Sequence, residues 1–252
     1  MLHENQVIVD LAELTLNHGL FVVRAARSLA EAETVMAAWP PHMIVVDMEH
    51  DEASEFISRL CTSEMIRQSV APILGLTRRG DLRSKLQAFE LGVDDILTVP
   101  FAPEELLARA LAITRRGTGA APPLVSTIKI GEIEVDILHR RVRIGDSIVN
   151  LSSIEQSLLY LLASRAGRVV SRETILDIVW GSDYLAESNV VDRHVQTLRA
   201  KLQEGRKDPH FIATVPGKGY RFIPTFSNQG WLDAGAEPPP SPPDAAPRAD
   251  RP

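Results

Sequence analysis

Arg193, Gln196 and Thr197 stand three and four positions apart along a run whose apolar residues Val191, Val195, Leu198 and Leu202 repeat at helical spacing. At about 100° per residue the apolar set forms one stripe, so Arg193, Gln196, Thr197 and Ala200 project from the opposite side. His194 and Lys201 flank them on one shoulder, Asp192 and Arg199 on the other. Such a face is suited to reading DNA. Arg and Gln can make paired hydrogen bonds to purine edges in a major groove that admits a helix, and Thr can meet a thymine methyl. Downstream, Phe211, Ile212, Thr214 and Val215 lead through Pro216, Gly217, Lys218 and Gly219 to Tyr220, Arg221 and Phe222. This is a β-hairpin whose tip requires positive φ. Lys218 and Arg221 suit phosphates, and Thr214 and Tyr220 complete the expected contact set. Alone, the helix could be an ordinary solvated face; the hairpin behind it argues for DNA.

A frame must hold these side chains. Residues Ile128 to Val149 alternate apolar and polar with turns at Gly131 and at Gly145-Asp146, which predicts a small antiparallel sheet. Ser152 and Glu155 form a capping box for a helix that buries Ile154, Leu158, Leu161 and Leu162 and stops at Gly167. Ser171 caps the next helix, with Ile175, Ile178 and Val179 inward and Trp180-Gly181 at its end, and Asn189 with Asp192 opens the basic helix. In residues 1–116, apolar runs at Val7–Val9, Leu20–Val23, Met43–Val46, Ile73–Leu76 and Asp95–Val99 alternate with amphipathic segments. They predict buried parallel strands in an α/β doubly wound sheet, whose ligands would sit at the strands' carboxyl ends.

From Ile128 to Pro224 the order of sheet, three helices and wing closely resembles the winged helix-turn-helix domain of the OmpR/PhoB response regulators, two-component transcription factors of bacteria. Residues 1–116 resemble, more weakly, their receiver domain, a flavodoxin-like fold. The resemblance places Asp47 of MIVVDM at the phosphoacceptor, Thr77 of LGLT at the switch hydroxyl, and LTVPF at the family's Lys-Pro strand end. Here the lysine is Val99, the switch aromatic is Ile96, and the acidic pair that holds magnesium is at best Asp10. Phosphoryl transfer depends on charge neutralisation, and magnesium on carboxylates. An atypical receiver with no cofactor and no working phosphoacceptor at Asp47 is therefore expected, an isolated strand-end carboxylate being the plainer role. The family's dimer links match Lys85 with Glu105, Asp95 with Arg109, and Glu90 with Arg116, so a homodimer is expected. The resemblance further implies a sensor histidine kinase as a partner, and contact of the loop Gly181–Glu187 with RNA polymerase. Pro216 stands where the family often has Arg.

Composition agrees with two modules. Residues 126–226 carry 14 basic against 12 acidic side chains, whereas residues 1–116 carry 11 against 17, so the only basic block is the one with the helix and hairpin. Local charge governs affinity for phosphates, and the acidic total of −6 does not exclude double-stranded DNA. The breaker stretch within 117–125 reads as a linker, and the proline-rich tail 227–252 as disordered. One cysteine, Cys61, excludes an internal disulfide and fits a cytoplasmic protein, most simply as a small buried apolar residue. Neither a membrane span nor a signal peptide is expected. No nucleophile with a paired base, nucleotide loop or metal cluster suggests an enzyme. Three functions remain: a DNA-binding regulator that dimerises without phosphorylation, a conventional phosphorylated switch, and an interaction module in which the winged helix is scaffold.

Overall fold

The computed structural model describes residues 1–17, 21–62, 71–78, 82–118, 127–182, 184, 189–202 and 209–224. Strands β1 (Ile44–Asp47), β2 (Ile73–Arg78) and β3 (Asp95–Val99) form a parallel sheet in that order, as their apolar runs predict. The strand expected at Val7–Val9 is absent, because these residues lie in helix α1 (Gln6–Leu16). A short apolar run does not by itself separate strand from buried helix. The cap does: the Asn5 side chain accepts the Val7 N–H at 2.9 Å and starts a helix. Leu2 takes the missing strand's place, bridging in parallel to Ala26 and Val46, with its N–H donating to the Val45 carbonyl at 2.8 Å. The second expected strand fails as well. Residues 21–23 pair with nothing regular, Leu20 lies outside the described residues, and Ala26 alone bridges at this edge.

Alternate strand residues face opposite layers. Ile44, Val46, Ile73 and Ile96 pack with α2 (Leu29–Ala38), α3 (Ala53–Thr62) and α4 (Leu82–Leu91). Val45, Leu74, Leu76 and Leu97 pack with α1 and α5 (Pro103–Thr118). Cys61, expected to be buried, is exposed on α3, its thiol 3.5 Å from the Leu91 carbonyl.

The second half begins with an antiparallel sheet, β4 (Thr127–Ile130), β5 (Ile133–Asp136), β6 (Arg141–Ile144) and β7 (Ser147–Asn150), in that order. Then come α6 (Ser153–Ser164), β8 (Val169–Ser171), α7 (Arg172–Trp180), α8 (Val190–Lys201), β9 (Ile212–Val215) and β10 (Gly219–Phe222). The capping box at Ser152 and Glu155 forms, and the Ser171 hydroxyl accepts the Thr174 N–H at 3.0 Å. Asn189 precedes α8 without a side-chain capping bond.

The two halves share one core. Helix α1 packs against α5 on one side and α6 on the other, and its Leu11 and Leu14 join the cluster that holds Leu158 and Leu161. Polar links border this seam: Asp10 pairs with Arg165 at 2.6 Å, and Glu104 accepts from Ser153 Oγ and Gln156 Nε2, both at 2.8 Å. Among the described residues no helix is long and apolar enough to cross a membrane. Of the linker expected at 117–125, residues 117 and 118 instead end α5, and the rest lies outside the described residues, as does the tail 227–252.

The wing depends on Gly219, at φ +149°, where an added Cβ would overlap the Val170 carbonyl oxygen of the neighbouring strand. Gly219→Ala is expected to destabilise the C-terminal half by about 3 kcal/mol or more, combining strain with the clash. Gly145→Ala, at φ +55° with open space around it, should cost about 1 kcal/mol. Denaturant titration of both variants checks the order, and equal losses would count against it.

Candidate nucleic-acid interface and receiver pocket

Helix α8 is held by Val191, Val195, Leu198 and Leu202, all buried, with Val195 and Leu198 fully so. This is the stripe the spacing predicts. Opposite it, Arg193, Gln196, Thr197 and Ala200 are exposed. Thr197 donates its hydroxyl proton to the Arg193 carbonyl at 3.0 Å, as a mid-helix Thr often does. His194 is half-buried, its ring 5.3 Å from that of Trp180 at the end of α7.

Other expected contact residues are turned inward. Arg199 is buried; its guanidinium donates to the Ile212 carbonyl, with Nε at 3.1 Å, and to Thr214 Oγ1 at 2.9 Å. It lies at the edge of the apolar stripe, where the hairpin closes over it. Lys201 donates to Glu155 Oε2 at 2.6 Å and to the Asn150 carbonyl at 3.0 Å. Tyr220 is buried, and its hydroxyl donates to Asp192. Thr214 stays exposed on the wing although its oxygen is taken by Arg199. Lys218 and Arg221 are exposed, on a hairpin whose tip has positive φ at Gly217 and Gly219, as expected.

Arg172, which sequence reasoning passed over, completes the frame. It pairs with Asp192 at 2.8 Å and lies 4.9 Å from the Tyr220 ring centroid, while Arg199 approaches the same ring at 5.5 Å. A signal existed: a cation in the first turn of α7 opposes the helix dipole and calls for a partner elsewhere. The two guanidiniums on Tyr220 tie α7, α8 and both wing strands together.

In the receiver half, Asp47 ends β1 beside β2, whose Thr77 is buried with no hydrogen-bond partner for its hydroxyl. Asp10 is not part of this pocket, contrary to expectation. Because Val7–Val9 belong to α1, it faces the other half, bound to Gln6 at 2.7 Å and to Arg165. His3 stands beside Asp47 instead, Nε2 to Oδ2 3.6 Å, and His50 lies 3.6 Å from Glu4. His3 Nδ1 accepts the Asn5 N–H at 3.0 Å, which directs the Nε2 proton toward Asp47. Burial, against the opposite pull of Asp47, holds the His3 imidazole below its ordinary value. Asp47 thus has a proton-bearing imidazole beside it where the family has a carboxylate pair. Val99 and Ile96 offer no cation and no ring.

The expected dimer residues form contacts within the chain. Arg109 pairs with Asp95 at 2.9 Å and with Glu105 at 2.8 Å, and Lys85 donates to Thr98 Oγ1 at 3.1 Å. Glu90 is exposed, and the Arg116 side chain lies outside the described residues. In the loop before α8, Tyr184 stacks 6.2 Å from Trp180, and Gly181 lies against Pro100 of the receiver half. Asp183 and residues 185–188 lie outside the described residues.

Burial raises the Glu155 carboxyl, but the Lys201 ammonium and the Ser152 donors outweigh it and hold it below its ordinary value of 4.5. A depressed carboxyl adds stability that is fully present above that value and is lost as pH falls through the folded pKa. Lys201→Met should therefore cost about 2 kcal/mol at neutral pH, with the gap from wild type narrowing as pH drops below 4.5. Unfolding curves across this range check it, and a constant gap would refute it.

Residues 2–111 match the response regulator receiver domain, and residues 145–222 match the C-terminal domain of transcriptional regulatory proteins. The probable transcriptional regulator ycf27 of Porphyridium aerugineum is 35% identical over 210 residues, 81% of this chain and 86% of that protein. The phosphate regulon transcriptional regulatory protein PhoB of Escherichia coli (strain K12) is 34% identical over 188 residues, 74% of this chain and 80% of that one. The crystal structure of the Klebsiella pneumoniae RstA DNA-binding domain in complex with RstA box shares 35% identity, with a TM-score of 0.36, over 39% of this chain and 97% of that one. With a receiver and a C-terminal DNA-binding domain in this order, and with relatives matched over most of their length, the chain belongs to the OmpR/PhoB-type response regulators and is a transcriptional regulator.

Proposed function

We propose that this regulator recognises a specific DNA sequence through α8, dimerises through its receiver half, and does so without aspartyl phosphorylation. The exposed row Arg193, Gln196, Thr197 and Ala200, on a helix locked to its wing, carries the reading. Arg199, Lys201 and Tyr220 support that face rather than touch DNA. Such a protein acts by binding, not catalysis, in the cytoplasm, and offers RNA polymerase the loop that includes Ser182 and Tyr184. Gln196→Ala or Thr197→Ala should cost about 1 to 3 kcal/mol at matched bases and relax specificity there. Lys218→Ala should weaken all sequences alike and lower the salt slope by about 1. Selection of binding sites from random duplexes, with salt titrations, separates these effects; unchanged preference in folded α8 variants sinks the docking.

Independence from phosphorylation rests on His3 beside Asp47 and Val99 where the family has its lysine. The conventional switch, fed by a histidine kinase, keeps one favourable observation: the Thr77 hydroxyl is buried without a partner on the strand next to Asp47. Intact mass after incubation with acetyl phosphate and magnesium decides between them. No adduct, with Asp47→Asn leaving DNA affinity unchanged, is the expected outcome; an adduct on Asp47 that tightens binding restores the switch.

Dimerisation draws on Leu82, Leu86 and Phe89, which expose one apolar stripe on α4 at spacings of four and three, with exposures of 70%, 54% and 48%. A symmetric contact would bury the same stripe on both copies. Exchanging the charges of Asp95 and Arg109 also restores their pair within one chain, so it does not isolate the interface. Phe89→Glu does, and should leave a folded monomer at tens of micromolar in sedimentation; wild type sedimenting as monomer at that concentration would overturn the proposal.

A further inference from the structure

The receiver half has a cavity of about 530 Å³ where its second strand would have run, between residues 21–26, α2 and the amino end of β1. This is the end of the sheet away from Asp47. Leu2, Val23, Met36, Ile44 and Phe56 are among its walls, which are predominantly apolar. Its size lies in the range of small-molecule sites, and so does its character, apolar with few polar groups. The cause is local. Because residues 21–23 make no ladder, no regular strand covers this edge of the sheet, and Val22 and Trp39 stay 62% and 39% exposed beside the opening. Leu16 of α1 and Thr114 of α5 also line the cavity, and both helices contact α6 of the DNA-binding half.

Charge at the mouth selects the ligand. The exposed Arg24 guanidinium sits 5.9 Å from the Trp39 ring centroid and, among the described residues, forms no salt bridge, although the field of Glu13 reaches it. The Met1 amino group donates to the Arg24 carbonyl at 2.7 Å, and burial lowers it to about 6, leaving Arg24 as the standing cation at neutral pH. An apolar cavity with a fixed cation at its mouth complements a molecule with an apolar body and one anionic end. We propose that this cavity binds a small organic monocarboxylate with an aliphatic body, its chain among Val23, Met36 and Phe56 and its carboxylate at Arg24. The proposal is independent of whether Asp47 is phosphorylated, since the two sites lie at opposite ends of the sheet.

Calorimetry of the full chain with decanoate below its micelle concentration tests it, with decyltrimethylammonium as the cationic counterpart. Saturable one-to-one binding of decanoate, without binding of the cation, is expected. Arg24→Gln, a surface change, should weaken decanoate about tenfold, and Met36→Trp should fill the cavity and remove binding while circular dichroism stays that of the wild type. No decanoate binding at millimolar concentration, equal affinity for the cation, or decanoate affinity unchanged in Arg24→Gln would each overturn the assignment.

Discussion

Helix α1 is buried on almost every side, with seven of its eleven residues removed from solvent, and both halves are arranged around that fact. A helix with apolar residues on two faces must be covered on both. Here α1 packs against α5 on one side and α6 on the other, and its Ile8, Leu11 and Leu14 belong to the apolar cluster that spans both halves. Asp10 and Arg165 are each less than 20% exposed, and breaking their pair would leave a poorly solvated charge. Moving the halves apart would cost both this pair and the apolar contact.

The same economy of burial shapes the DNA face. Arg199 and Arg172 spend their charge on Tyr220, Asp192 and the Ile212 carbonyl, and Lys201 spends its charge on Glu155. The two arginines tie α7 and α8 to the wing, and Lys201 ties α8 to α6. Arg193, Lys218 and Arg221 remain exposed on helix and wing. In the docking proposed above, a small exposed set would give modest nonspecific affinity and leave base contacts to supply the rest.

In the receiver half, the shortened first strand reorganises the chemistry as well as the packing. Placing Leu2 in the sheet sets His3 beside Asp47 and moves Asp10 to the seam. A neutral imidazole whose Nδ1 already accepts a backbone N–H is a poor substitute for a carboxylate pair or a lysine. Loss of the second strand leaves the edge irregular and opens the apolar cavity there.

Much of this was legible in local pattern. The α8 stripe, the capping box, the Ser171 cap, the glycine tip and the three strands from Ile44 onward each depend on spacing and turn chemistry that a short window contains. Val7–Val9 could not be resolved that way, because three apolar residues satisfy a strand and a buried helix equally, and the choice came from the Asn5 cap and the second core surface offered by α6. Nor does spacing tell which cations reach DNA: Arg199 and Lys201 lie on the shoulders of the helix, where only the hairpin and Glu155, distant in sequence, decide between solvent and a buried partner. Residue type and periodicity determine which face of an element is apolar; what the polar shoulders meet is decided by contacts between segments far apart in the chain, and those exist only in the folded structure.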